Sequence, residues 1–170
     1  RIAKIIFQAL TDASTDQKQG RRPTELGILY KLASAINAGE PDVDTVVNHF
    51  RDTETSFIMP PSNTALYPEL IMDISHESLM RQWDRLKEWV NEEAENGRTM
   101  MRLAEYETLH RHGEKDFLEG KELQMFSTWH ATNKPNTAWA SRYAPDAELC
   151  FYYITESKRR KQQKSKKKWL

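Results

Sequence analysis

Apolar residues recur along this chain at intervals of three and four, in short runs that stop near glycine or proline. That spacing gathers each run on one face of a helix, so the chain is confined to helices that each bury a single stripe. Residues 2–10 place Ile2, Ile5, Ile6, Ala9 and Leu10 on such a stripe. Residues 12–23 are polar and contain Gly20 and Pro23, which predicts a loop. Thr24 is a candidate cap for a second helix reaching about Ile36, with Leu26, Leu29, Tyr30 and Ala33 inward. Gly39 and Pro41 interrupt it. Asp42 is the expected cap of a third helix, whose stripe is Val43, Val46, Val47 and Phe50.

The pattern then changes. SFIMP at 56–60 and LIMDI at 70–74 are short apolar runs around a loop containing Pro60, Pro61, Asn63 and Pro68. Two such runs predict a β-hairpin. Three helices followed by a hairpin is the order of a winged helix. A long helical region is expected after Ser75, with Leu79, Trp83, Leu86 and Val90 on its stripe and Trp89 widening it. Met100, Leu103, Tyr106 and Leu109 continue that stripe, Gly97 is a candidate break and Gly113 a stop. Another helix is expected over 121–132, with Leu123, Phe126 and Trp129. A last one starts near Pro145 and carries Leu149, Phe151, Tyr153 and Ile154. The fold class expected is mostly α: a winged-helix module with a small β-hairpin over 1–75, a helical arm or bundle over 76–157, and a basic linker tail over 158–170.

Charge is distributed unevenly. The 170 residues hold 25 basic and 25 acidic side chains, yet residues 157–170, SKRRKQQKSKKKWL, contain eight of the basic ones and no acid. The rest carries 17 basic against 25 acidic groups. An acidic body is unlike a nucleic-acid-binding domain, whose contact face is basic. Its tail reads as a solvated linker helix, with an anionic membrane or nucleic acid as the other readings. No apolar run approaches the roughly 18–20 residues that a membrane span needs. The single cysteine, Cys150, leaves no internal disulfide framework and suits a reducing compartment, so a cytoplasmic location is expected. The chain opens at Arg1 directly on a helical pattern, as a segment of a longer protein would.

Catalytic signatures are missing from the sequence: there is no G-x-x-x-x-G-K-[ST], no G-x-G-x-x-G, no C-x-x-C and no H-E-x-x-H. His110 and His112 stand two apart on an expected helix and point to different faces, a poor metal pair. Cys150, between Leu149 and Phe151, reads as a packed thiol rather than a nucleophile. The densest chemistry lies in Asp73-Ile74-Ser75-His76-Glu77-Ser78, where an expected strand meets a helix start. Unpaired N–H groups and the helix dipole favour anions there, and His76 could donate to a phosphate. The plainer reading is that His76 caps or packs locally while Glu77 and Arg81 form an i,i+4 pair.

The segment DISHESLMRQWDRLKEWVNEEAE resembles the signature that follows the ATPase core in bacterial STAND-class P-loop NTPases, a family of signal-transduction proteins. Upstream, IAKIIFQALTD, RRPTELGIL and VNHFRDTETSFIMPP resemble that family's winged-helix region. Downstream, RLAEYETLHRHG, FLEGKEL, PNTAWASRY and FYYITES resemble its helical region, so the likeness covers nearly the whole chain. The resemblance implies a part of a larger protein. A nucleotide-binding core that takes ADP or ATP with Mg would precede this region, and β-propeller or other sensor repeats would follow it. In related STAND ATPases the winged helix closes over ADP, and the His of a Met-His-Asp motif reaches the nucleotide phosphate. Ser75-His76-Glu77 stands in the corresponding place, with Ser for Met and Glu for Asp, which makes His76 the candidate nucleotide contact.

The function expected is therefore a non-catalytic regulatory segment that closes over the nucleotide core and couples it to a downstream sensor. Its partners would be those two domains of the same parent chain. Within this segment no cofactor is expected. Two other functions compete. A DNA-binding winged helix would put the third helix in the major groove, but Asp42, Asp44 and Asp52 face Arg51 alone there, where phosphate contact needs Lys or Arg. A passive helical adaptor would use Trp83, Trp89, Trp129 and Trp139 as core only.

Overall fold

Helix α1, Ile2–Ala9, forms where the first apolar stripe predicts it and buries Ile6, Phe7 and Ala9. The computed structural model describes residues 1–12 and 20–168, with side chains to residue 166. Among the described residues the protein is mostly α, with eight α-helices and a few short antiparallel strands in two small sheets. The chain divides into two units, Arg1–Gly97 and Arg98–Leu170.

In the first unit, α1 runs into β1, Thr11–Asp12, which pairs with β2, Gly20–Arg21. Part of the loop expected over 12–23 is thus a two-stranded ribbon, and residues 13–19 lie outside the described residues. Next come β3, Thr24–Glu25, and α2, Leu26–Ala33, closed by a 3₁₀ turn, Ser34–Ile36. Helix α3 spans Glu40–Arg51, followed by β4, Ile58–Met59, and β5, Ile71–Ile74. The two apolar runs do form a hairpin, in the register Ile58↔Ile74 and Met59↔Asp73. The sequence pattern did not reveal that β3 joins its other edge, with Thr24 opposite Met72 and Glu25 opposite Ile71, giving the order β3-β5-β4. Alternation along β5 turns Met72 and Ile74 inward and leaves Ile71 outside, as period two requires.

Two helix starts differ from expectation. Thr24 does not cap α2. It is buried in the sheet, and its hydroxyl lies 2.9 Å from the Arg22 carbonyl and 3.2 Å from that of Ala9. The first N–H groups of α2 are satisfied instead by the hairpin loop: Leu26 donates to Leu70 at 2.9 Å and Gly27 to Pro68 at 2.7 Å. A Cβ at position 27 would stand 3.2 Å from the Pro68 carbonyl oxygen, so glycine permits that close approach. Helix α3 starts two residues before Asp42, with Gly39 as its cap. Asp42 reaches back from the third helical position and accepts the Gly39 N–H at 2.9 Å.

The long helical region breaks at Trp83 rather than at Gly97. Helix α4 is Ser78–Gln82, Trp83 is extended at φ −95° and ψ 101°, and α5 runs unbroken over Asp84–Arg111. Gly113, at φ +76°, then stops it, and the Glu114 N–H returns to the Leu109 carbonyl at 2.9 Å in a Schellman closure.

The second unit contains α6, Gly120–Asn133, α7, Thr137–Ala140, and α8, Ala147–Lys168. Met100 and Leu103 of α5 pack with Leu118, Leu123, Phe126, Cys150, Tyr153 and Ile154. Leu149, expected in this core, is 42% exposed. The inward stripe of α8 is Ala147, Cys150, Tyr153, Ile154 and Ser157, and Leu149 falls one position off it. Among the described residues no helix is long and apolar enough to cross a membrane.

Candidate functional site at the strand-to-helix junction

The last strand of the first unit delivers the chain to Ser75-His76-Glu77, and the backbone on both sides is fixed. Arg21 on β2 ion-pairs with Asp73 at 3.2 Å and donates to the Ile74 carbonyl at the same distance. The Ser75 N–H donates to the Phe57 carbonyl at 3.0 Å. The His76 and Glu77 carbonyls accept from Leu79 and Met80, each at 3.1 Å, and start α4. Met80 is buried beneath this turn. Beyond it, Trp83 makes edge-on contacts with Phe7 at 5.1 Å and with Trp89 at 5.6 Å, and a tilted one with Phe57 at 5.8 Å. The Arg21 contacts tie down the strand before the junction, and the ring contacts of Trp83 pack the chain beyond it.

His76 is exposed at that corner. The Glu77–Arg81 pair of the plainer reading does not form among the described residues. Among the described residues the imidazole makes no hydrogen bond and α4 has no side-chain cap bond. Beside it the Ser75 hydroxyl is shielded from solvent and has no hydrogen-bond partner among the described residues. The corner thus presents one imidazole outward.

Arg51 is the residue whose role the sequence hid. Its side chain is 1% exposed. Nε donates to the Pro60 carbonyl at 2.6 Å, and the guanidinium also donates to Pro61 and, at 2.6 Å, to Thr64. Burial pulls its pKa below the usual arginine value. The guanidinium closes the hairpin loop and is withdrawn from solvent, so the only Lys or Arg of α3 offers nothing to a DNA phosphate. The other residues singled out from sequence have packing roles. Cys150 is buried, and burial raises its thiol to about 11, well away from nucleophilic use. His110 binds the Lys115 carbonyl through Nδ1 at 2.8 Å and stacks on Tyr153 at 4.9 Å. Trp83, Trp89, Trp129 and Trp139 are half-buried. Among the described residues no three His, Cys, Asp or Glu side chains gather as a metal would require.

Residues 1–116 match the profile of the family described as Novel STAND NTPase 1, and the chain belongs to that family. The match contains the whole first unit, the His76 corner and all of α5. No curated protein and no solved structure matches the chain.

Proposed function

We propose that this chain is a non-catalytic regulatory segment of a larger STAND ATPase, with a winged-helix module that closes over the nucleotide-binding core. The observation that carries this reading is the His76 corner, a fixed strand-to-helix turn with an outward imidazole, inside the residues that match the family. Support for a winged helix comes from the pairing β3-β5-β4 and from the chain order α1, β3, α2, α3, β4, β5, with the β1–β2 ribbon inserted after α1. His76 donates a hydrogen bond to a phosphate of ADP bound in the core, where this chain supplies one contact and the core the rest of the pocket. The Mg ion belongs to that core. Helices α5 to α8 couple the module to a downstream sensor, and a ligand on the sensor favours an open state in which nucleotide exchanges.

The test is His76→Ala in the full-length parent. A hydrogen bond to a charged phosphate contributes roughly 1.5–3 kcal/mol, so ADP should leave about tenfold to a hundredfold faster and basal activity should rise. Bound ADP measured after purification and gel filtration reads this directly. Retention equal to that of the unaltered parent would remove His76 from the nucleotide site.

A further inference from the structure

The cationic stretch of α8 borders two grooves; Lys161 and Ser165 line both, and Asp116, Glu119 and Glu122 line one of them. On one face the charges are neutralised. Glu156 accepts from Arg159 at 2.6 Å and from Arg160 at 3.0 Å, and Lys164 pairs with Glu119 at 2.5 Å. Arg160 also lies 3.9 Å over the Phe117 ring. On the other face Lys158, Lys161 and Lys166 have no carboxylate partner among the described residues, and with Gln162 and Ser165 they fill an arc of about 140° at 100° per residue. These residues line a groove against α6 whose other wall is Leu123, Gln124 and Ser127. The groove contains no carboxylate. Among the described residues the Ser127 hydroxyl, shielded from solvent, has no hydrogen-bond partner.

We infer that the α6–α8 groove binds a short chain of linked phosphates, such as the triphosphate portion of a small molecule. Three arguments select this occupant. The free cations are lysines, which bind phosphate as point charges, while Arg159 and Arg160 are held by Glu156. The remaining donors are amides and hydroxyls, the set that contacts phosphate oxygens elsewhere. The rest of the chain carries 17 basic against 25 acidic side chains, which repels a long polyanion but spares a ligand confined to the groove at a Debye length of about 8 Å. A bilayer is a poorer fit, because the wall's one aliphatic side chain, Leu123, is buried and offers no anchor.

Calorimetry on the full chain in physiological salt, with inorganic triphosphate as the probe and no metal added, tests the assignment. Saturable one-to-one binding is expected, with shifts in the side-chain amide resonances of Gln124 and Gln162. The triple variant Lys158→Gln, Lys161→Gln, Lys166→Gln should lose about tenfold or more in affinity, since each lysine contributes a charge-assisted contact. The charge-matched control Arg81→Gln, Arg85→Gln, Arg102→Gln should stay within about twofold, because those arginines lie outside the groove. Glutamine preserves helix propensity, and circular dichroism confirms that α8 remains folded. No binding of triphosphate, an equal loss in the control, or binding of a single-stranded 20-mer without binding of triphosphate would each overturn the assignment.

Discussion

Arg51 replaces several hydrogen bonds that a longer hairpin would make for itself. Its guanidinium serves three loop carbonyls, so Arg51→Ala leaves them without their donor and should cost about 2–4 kcal/mol in urea unfolding. Arg51→Lys should recover little, because an ammonium lacks the planar fork. The sequence could not announce this role: a lone arginine at a helix end reads as surface charge, and carbonyl partners leave no mark in side-chain patterning. Cys150 was more legible, since its apolar neighbours on a helix pointed to a packed thiol. With its pKa raised from an ordinary value of 9.0 to about 11, the thiolate fraction at pH 8 falls about a hundredfold, and a disulfide reagent should label it correspondingly slowly until denaturant is added. Glu156 gives a pH signature of the opposite sign. Its hydrogen bonds from Arg159 and Arg160 hold the carboxyl at about 2 against an ordinary 4.5. A depressed carboxylate stabilises the fold above the unfolded value, and that contribution is lost as pH falls from 4.5 toward 2. Acid unfolding followed by circular dichroism should show it, and Glu156→Gln should remove that part of the pH dependence.

Among the elements, most helices were readable because each buries one stripe, and the departures occur where a helix end is satisfied from outside it. Helix α2 takes its first carbonyl partners from Pro68 and Leu70, more than forty positions along the chain, so Thr24 is free to join the sheet. The break at Trp83 was hidden for a related reason. Leu79, Trp83, Leu86 and Val90 keep helical spacing through it, and the extended residue is fixed by ring contacts with Phe7 and Phe57 that no local pattern carries. Gly113, by contrast, stood where a stop was expected. A Cβ there would meet nothing within 4 Å, so Gly113→Ala tests the positive φ alone and should cost about 1 kcal/mol in thermal unfolding.

For the whole molecule, the helical class and the family likeness were legible; Gly97, a candidate break in the sequence, marks the division between the units although helix α5 runs through it unbroken. Each unit has its own apolar core. Loss of Arg51 should therefore raise hydrogen exchange in α1 to α3 and leave the amides of Met100 to Ile154 near their original protection, as mass spectrometry of peptic fragments would show. The His76 corner was visible in sequence as a motif, yet the groove between α6 and α8 was not. Eight basic residues in a row of fourteen look uniform until helical geometry and the carboxylates of Glu119 and Glu156 sort them.

The two ways in which the hairpin is secured imply an order of events in time. The Arg51 contacts span only 9 to 13 positions, so closing them sacrifices little chain freedom. The pairing of Thr24 with Met72 must bring together residues 48 positions apart. Short-range closure is the faster process, which places the Arg51 loop early on the folding route and the third strand late. Substitutions at Arg51 should accordingly slow folding, whereas those at Thr24 should chiefly hasten unfolding.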